Sequence, residues 1–243
     1  MLGLGSSLVT SGKVESWVLD DEPSLEAYWK YATGTQTDGG SAVAGYSIDV
    51  WDDQTSNGYD MIQDTTGEEP VYFPLTHAGL EFTPGNASTL ALASGHITLG
   101  GNFIIGLKIK PDISGVTVFG SNSITNEIFK LFNDTTIRFK NDSASADFVL
   151  GSESTTDSSY YVMSRDSSNV VTIYKDGTGA DFTDNTQTIT GTFDINCMGR
   201  KAGTANYYDG LILEMVIFKG NTDAAAGDII DGLHNRLATI PTP

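Results

Sequence analysis

Both faces of the stretch Leu211-Ile-Leu-Glu-Met-Val-Ile-Phe218 are apolar, apart from Glu214. Successive side chains of a β-strand point to opposite faces of the sheet. A strand that is apolar on both sides has to be covered on both sides. We therefore expect this stretch to form a central strand of a sheet in a protein made mainly of β-structure.

Shorter stretches with a period of two surround this strand. The clearest is Phe103 to Ile109, where Phe103, Ile105, Leu107 and Ile109 alternate with residues such as Lys108. Residues 25–31 repeat the pattern, with Trp29 on one face and Lys30 on the other. Further strands are expected at 128–132, 137–140, 148–150, 160–165 and 170–175, separated by Asn, Asp, Ser and Gly. Strands at this spacing predict a sandwich or a barrel.

The end of the chain has a helical period instead. Asn221-Thr222 supplies an N-cap, and Ala226, Ile230, Leu233 and Leu237 follow three or four residues apart. Gly227 and Gly232 each destabilise a helix by about 1 kcal/mol relative to alanine. We expect a short C-terminal helix that depends on docking against the rest of the protein.

The first fifteen residues differ from the rest of the chain. They are rich in Gly and Ser, with scattered Leu2, Leu4, Leu8 and Val9. Two interpretations are open: an assembly arm whose apolar side chains dock on a partner surface, or a frayed terminus. We expect residues 1–15 to form the arm and residues 16–243 to form one sandwich domain.

Charge and composition exclude several classes of partner. Lys and Arg number 13 against 31 Asp and Glu, so the formal charge is −18. That charge repels phosphate backbones and anionic membranes, and we expect neither nucleic acid nor membrane as a partner. The N-terminus has no basic region and no continuous apolar region, so we expect synthesis in a cytoplasm without a cleavable signal peptide.

One block of sequence carries a family resemblance. It consists of Trp51-Asp-Asp-Gln-Thr-Ser-Asn-Gly-Tyr-Asp-Met-Ile-Gln63, followed by Glu69-Pro-Val-Tyr72 and Gly79-Leu-Glu-Phe82. This block resembles the opening half of concanavalin A-like lectin/glucanase domains, the laminin-G-like superfamily found in phage structural proteins and bacterial surface proteins. The resemblance covers residues 17–238 and implies an antiparallel jelly-roll β-sandwich with a short C-terminal helix. It does not fix the function, because lectins, glycosidases, adhesion modules and virion proteins share this fold.

The same block contains candidate metal ligands. Asp52, Asp53, Asn57 and Asp60 place hard oxygens within one turn, which is the ligand type that calcium prefers. The structural alternative makes Trp51 a core anchor, with the Asn and Asp side chains satisfying backbone donors of a turn. Calcium is the one cofactor that the sequence raises, and both interpretations stay open here.

Catalytic signatures are missing from the sequence. Glycoside hydrolysis needs two carboxyl groups about 5 to 9 Å apart. The laminarinase-like members of the superfamily present them as an E-x-D-x-x-E cluster, which this chain lacks. His77, His96 and His234 have no metal-ligand spacing. We therefore expect no enzymatic activity.

Three functional hypotheses follow. The start Met1-Leu-Gly-Leu-Gly5 resembles phage structural proteins, so the first is a non-catalytic virion protein, a capsid decoration or tail/fibre-associated protein. Its arm would bind other virion proteins or sister subunits, as a trimer by analogy. The alternative is a carbohydrate-binding adhesin for host surface glycans, and a polysaccharide-cleaving glycosidase is disfavoured. Tyrosines outside the core pattern could stack on sugar rings, without identifying a glycan site: Tyr28, Tyr46, Tyr59, Tyr72, Tyr207 and Tyr208.

Overall fold

The computed structural model describes residues 18–37, 40–41, 45–73, 79–122, 127–141, 144–151, 154–180, 182–200 and 206–241, with backbone alone at 40–41 and 127–128. The predicted arm, with Leu2, Leu4, Leu8 and Val9, lies outside these residues, as does His77. The described part of the chain is almost entirely antiparallel β-structure followed by one α-helix, which confirms the predicted fold class.

Within the described ranges, twenty strands and one α-helix follow each other, with short 3-10 helices at Leu19–Asp21 and Pro84–Asn86. The elements are β1 (Leu25–Trp29), β2 (Thr35–Thr37), β3 (Gly40–Ser41), β4 (Val50–Trp51), β5 (Met61–Ile62), β6 (Val71–Phe73), β7 (Gly79–Phe82), β8 (Leu90–Leu92), β9 (Ile97–Leu99), β10 (Phe103–Pro111), β11 (Val116–Gly120), β12 (Glu127–Asn133), β13 (Thr136–Lys140), β14 (Ser145–Val149), β15 (Ser159–Arg165), β16 (Val170–Lys175), β17 (Thr186–Thr188), β18 (Phe193–Ile195), β19 (Cys197–Met198), β20 (Gly210–Lys219) and α1 (Asp223–Ala238).

Two large sheets form the sandwich. The first sheet has eight strands in the order β17-β16-β15-β10-β20-β7-β6, with β1 also paired to β20. The second sheet has ten strands in the order β14-β13-β12-β11-β19-β8-β5-β4-β2-β3. A two-stranded ribbon of β18 and β9 completes the described β-structure.

Strand β20 is central, as its apolar sequence predicts. It pairs with β10 along its whole length on one side. On its other side it pairs with β7 through residues 210–212 and with β1 through residues 215–218, so that two strands share one edge end to end. One face of β20 contacts the core between the sheets, and its other face lies under the helix.

The main core lies between the two sheets and is strongly aromatic. Trp29 and Trp51 are both buried there, which confirms Trp51 as a core anchor. The indole nitrogen of Trp51 donates to the backbone oxygens of Lys30, at 3.3 Å, and Thr33, at 3.1 Å. The polar edge of this large side chain is therefore satisfied although the ring is buried.

Helix α1 covers the outer face of the first sheet. The Thr222 side chain caps it by accepting a hydrogen bond from the Ala225 backbone nitrogen at 3.2 Å. Its buried residues are Ile229, Gly232, Leu233 and Leu237, so the buried face is centred on Ile229 and not on Ile230 as the sequence pattern suggested. Gly106 of β10 lies directly beneath Leu233 and Leu237, where the absence of a side chain lets the helix approach.

The outer face of the second sheet has no such cover in the part of the chain that the structure describes. Its outward side chains on β13 and β14 are partly or fully exposed, except Thr136, whereas the inward ones are buried. The sandwich therefore has a helix-covered face on one sheet and an open face on the other.

Candidate functional site

The predicted metal ligand Asp53 is a hub for protein hydrogen bonds. Its Oδ1 accepts from the backbone nitrogens of Tyr28, at 2.9 Å, and Thr55, at 3.0 Å. Its Oδ2 accepts from the Thr55 hydroxyl at 2.6 Å and from the Tyr59 backbone nitrogen at 3.1 Å. Asp53 is buried, so these four donors compensate a carboxylate that has little access to water.

The other three predicted ligands also have partners within the protein. Asp60 accepts from the Asp53 backbone nitrogen at 2.8 Å, and Asn57 donates its amide to the Glu26 backbone oxygen at 2.8 Å. Asp52 accepts from the Gln36 amide at 2.8 and 2.6 Å through its two oxygens. No group of three or more His, Cys, Asp or Glu side chains able to hold a metal ion occurs among the described residues. These contacts favour the structural interpretation of the four residues, and calcium binding stays the alternative hypothesis.

Three of the six tyrosines proposed for sugar stacking are buried: Tyr28, Tyr72 and Tyr208. Tyr59 and Tyr207 are partly exposed, and Tyr59 packs against the core. Tyr46 has 61% of its surface exposed. The three buried rings therefore stabilise the fold and cannot reach a ligand.

The helix-covered face contains a buried charged clamp. Glu214 is 0% exposed and accepts from Arg236 of α1 through Nε, at 2.9 Å, and Nη2, at 2.7 Å. The Tyr28 hydroxyl and the Tyr31 backbone nitrogen also donate to Glu214, at 3.3 and 3.0 Å. Burial alone would lower the pKa of Arg236, yet the hydrogen bond and the charge of Glu214 raise it above its ordinary value. This clamp joins α1 to β20.

His234 lies at the same interface. Its ring is 5.8 Å from the Tyr160 ring and 5.5 Å from the Tyr174 ring, measured between centroids. Its Nδ1 is buried without a hydrogen-bond partner. Burial lowers the pKa of His234 from its usual 6.5, although the charge of Asp231 opposes the shift. The neutral form therefore suits this position.

The open face carries a different set of residues, which the sequence alone does not bring together. Strand alternation places Lys130 and Phe132 of β12, Arg138 and Lys140 of β13, and Asp147 and Val149 of β14 on the outer side of the second sheet. Lys130 lies opposite Arg138, and Arg138 lies opposite Asp147, in the register of the three strands. We call these six residues the open-face patch.

Arg138 is the centre of the open-face patch. Its Nε and Nη2 donate to Oδ1 and Oδ2 of Asp147, at 2.6 and 2.8 Å, as a bidentate pair. Its guanidinium carbon lies 3.6 Å from the centroid of the Phe132 ring. The Lys130 amine is 5.8 Å from the same centroid. Two neighbours therefore fix the plane of the guanidinium before any ligand arrives.

Exposed apolar surface accompanies these charges. Phe132 is 38% exposed and Val149 is 42% exposed. They are two of the five exposed large hydrophobic residues in the described part of the chain, with Val18, Tyr46 and Ile113. Aromatic and aliphatic surface beside fixed donors and acceptors is a chemical arrangement that suits polar ligands with apolar faces.

Sequence reasoning recognised only part of this patch. The stretch Ile137-Arg-Phe-Lys140 shows one apolar and one mixed face, and that mixed face is part of the open-face patch. Phe132 ends a stretch in which Phe129 and Leu131 are buried, so its sequence position resembles that of a core residue. The available signal was the pair Arg138 and Lys140, two cations on one strand face of an acidic chain.

Comparisons with known proteins locate the fold but not a family. No protein-family model matches the chain, and no curated protein is similar to it in sequence.

Among the described residues, no helix is both long and apolar enough to cross a membrane.

Solved structures share the architecture at low sequence identity. Domain 4 of the extracellular GH43 arabinanase AbnA from Geobacillus stearothermophilus, solved with arabinotriose, is similar with a TM-score of 0.52 and 14% identity, over 87% of this chain and 97% of that domain. The binding domain of Paraclostridial Mosquitocidal Protein 1 gives 0.53 and 14%, over 80% of this chain and 51% of that one. Trypanosoma rangeli sialidase gives 0.54 and 13%, over 91% and 34%. The chain thus spans about half of the toxin domain and a third of the sialidase, and the likeness confirms the β-sandwich fold.

Proposed function

We propose that this protein is a non-catalytic carbohydrate-binding domain whose ligand contacts the open-face patch. The observation that carries the proposal is Phe132, an exposed aromatic ring in contact with Arg138, which is itself fixed by its pair with Asp147. A sugar presents C–H groups on its ring faces and hydroxyls around its rim. The exposed surface of Phe132 and Val149 suits contact with the C–H groups, and the pair of Arg138 and Asp147 suits hydrogen bonds with the hydroxyls.

The fold comparison supports the same proposal. The arabinanase domain, which was solved with arabinotriose, is similar over 97% of its own length, so one sandwich of this size and architecture accepts a sugar ligand. Fold alone does not transfer a ligand between proteins at 14% identity. The open-face patch supplies the local chemistry that the comparison lacks.

The proposed lack of catalysis also rests on the patch. Glycoside hydrolysis needs two carboxyl groups about 5 to 9 Å apart. Asp147 is the one carboxylate among the described side chains of the open-face patch, and Arg138 holds both of its oxygens. A single carboxylate whose two oxygens both accept hydrogen bonds from Arg138 does not supply the pair of groups that hydrolysis needs.

One carboxyl group elsewhere in the molecule, Asp209, provides a control for the non-catalytic part of the proposal. Burial and the charge of nearby Asp112 both raise the pKa of Asp209, as a general acid requires. Incubation with soluble polysaccharides should release no reducing ends. Release of reducing ends that is lost in D209N would overturn the non-catalytic part of the proposal.

The binding experiment compares two exposed rings. Wild type, F132A and Y46A are titrated against neutral and acidic polysaccharides by affinity electrophoresis and calorimetry. We expect F132A to weaken binding at least about tenfold, as truncation of a central aromatic contact does, and Y46A to bind like wild type. Loss of binding in Y46A alone would place the site at Tyr46 and contradict the open-face assignment.

Location in a phage particle stays a separate prediction. The arm residues on which this prediction depends lie outside the described part of the chain: Leu2, Leu4, Leu8 and Val9. It is compatible with carbohydrate binding, since a virion protein can also bind a glycan. Deletion of residues 1–12 should abolish incorporation into particles and leave glycan binding unchanged, and undiminished incorporation would contradict the arm.

A further inference from the structure

The open-face patch differs in charge from the protein that carries it. Arg138 and Lys140 face outward beside the single carboxylate Asp147, and Lys130, which is only 8% exposed, lies next to Arg138 beneath them. The six residues together carry three positive charges against one negative. The whole chain has 13 Lys and Arg against 31 Asp and Glu. A cationic area on so acidic a protein indicates an anionic ligand, because charge complementarity selects partners at a surface.

The geometry of Arg138 adds specificity to this charge. The guanidinium lies 3.6 Å from the Phe132 ring centroid and pairs with both oxygens of Asp147. Its orientation is therefore set in the free protein, which lowers the entropy lost when a ligand binds. A planar guanidinium recognises carboxylate and sulfate groups better than it recognises an isolated hydroxyl.

Lys140 completes the patch at its exposed end. It lies two residues after Arg138 on the same face of β13 and is partly exposed, opposite Ser145 of β14. Phe132 and Val149 lie on the opposite side of Arg138, near Thr136. An acidic group at Lys140 and Arg138 and an apolar contact at Phe132 or Val149 would therefore belong to neighbouring units of one polysaccharide chain.

We propose that the ligand class is an acidic polysaccharide, one whose sugar units carry carboxylate or sulfate groups. This inference rests on the proposed carbohydrate-binding function and narrows it. Nucleic acid is the rival polyanion. Its backbone carries one charge per about 1.7 Å of duplex, so the formal charge of −18 opposes it more strongly than it opposes a polymer with one charge per sugar.

The test compares two polymers that differ only in charge. Polygalacturonate and its fully methyl-esterified form share one backbone, and the ester removes the negative charge. Alginate, hyaluronate and chondroitin sulfate extend the acidic set, dextran and arabinan provide neutral polymers, and single-stranded DNA is the rival probe. We expect at least one acidic polysaccharide to bind, and the esterified polygalacturonate to bind more weakly than its parent if that is the polymer bound.

Charge variants give a matched pair. K140Q removes one exposed charge from the patch, and K219Q removes one from the first sheet, where the Lys219 side chain is 38% exposed and pairs with Glu26. K140Q should weaken binding to the acidic polymer about fivefold, the scale of one exposed charge contact. K219Q should leave it unchanged, and both variants should melt close to wild type.

The outcomes separate the two proposals. Binding to neutral polysaccharides alone, or equal binding of charged and esterified forms, would overturn the acidic ligand and leave carbohydrate binding standing. Equal loss in K140Q and K219Q would also overturn it, because net charge and not the patch would then control binding. Binding of single-stranded DNA without any polysaccharide, or no binding at all, would overturn both proposals.

Discussion

Each outer face of the sandwich carries a bidentate pair of an arginine and a carboxylate, and the two pairs have nearly the same geometry. Arg236 meets Glu214 at 2.9 and 2.7 Å, and Arg138 meets Asp147 at 2.6 and 2.8 Å. Their surroundings differ. Glu214 has no exposed surface beneath α1, whereas Asp147 is exposed on the open face.

This difference in burial gives the two pairs different roles. A buried charge that loses its partner cannot be solvated, so breaking the Glu214 pair should destabilise the fold. An exposed pair is solvated whether it is formed or broken, so the Asp147 pair adds little to stability. Equal hydrogen-bond geometry thus indicates a structural clamp in one place and an accessible recognition group in the other.

The largest expected difference in stability between the two faces comes from removing one member of each pair. E214A should lower the free energy of unfolding by about 3 to 5 kcal/mol, because Arg236, the Tyr28 hydroxyl and the Tyr31 backbone nitrogen all lose their acceptor beneath α1. D147A should lower it by less than about 1 kcal/mol. Urea denaturation with a fitted m-value measures both variants.

A double substitution separates charge from packing at the clamp. Replacing both partners, as in E214M/R236M, should cost much less than E214A, because no isolated charge remains. Equal losses in E214A and D147A would contradict the proposed difference between the two faces.

The next largest effect concerns how closely α1 approaches the first sheet. A Cβ on Gly106 would lie 3.0 Å from a Leu233 methyl and 3.3 Å from a Leu237 methyl. G106A should therefore destabilise the protein by about 1 to 3 kcal/mol through overpacking. G227A makes the same change on the exposed side of α1, where nothing lies within 4 Å, and should stabilise it by up to about 1 kcal/mol. Thermal unfolding of both variants gives opposite signs if the helix docks as described.

A smaller effect on the free energy of unfolding should come from the pH, through His234. The folded pKa of His234 lies below its unfolded value of 6.5, so the unfolded chain binds more protons between these two values. Stability should therefore fall as the pH drops through 6.5 toward the folded pKa. H234Q removes this contribution, and its unfolding free energy should depend less on pH than that of wild type. Identical pH slopes for the two proteins would contradict the burial of a neutral His234.

The smallest effect concerns the carboxylates of the Trp51 block. Both oxygens of Asp53 are already occupied by hydrogen-bond donors from the protein. We therefore expect removal of calcium with a chelator to leave the melting temperature unchanged in differential scanning calorimetry. A clear decrease that added calcium reverses would favour the metal interpretation of Asp52, Asp53, Asn57 and Asp60.

The sequence predicted the fold better than the site for a physical reason. Burial on both faces of β20 is visible in its composition, and so is the helical period after Thr222. Glu214 stands out in the sequence as the polar exception, but Arg236 becomes its partner only when α1 docks.

The open-face patch could not be assembled in the same way. Phe132, Arg138 and Asp147 lie on three strands, and cross-strand register determines which of them meet. Alternation predicts the face of each side chain, but not its neighbour on the next strand. The tyrosines show the opposite error. Tyr28, Tyr72 and Tyr208 lie outside the apolar patterns, which suggested exposed rings, but all three are buried.

The position of β20 in the chain also determines when this protein can fold during synthesis. Its partners include Leu25, which pairs with Phe218 almost two hundred positions later. The middle of the first sheet therefore cannot form until residues 210–219 have been synthesised. Its outer face is covered only after α1 has been synthesised as well. During that delay Ile104, Val162 and their neighbours lack the helix that covers them, and exposed apolar surface of this kind promotes aggregation of a nascent chain.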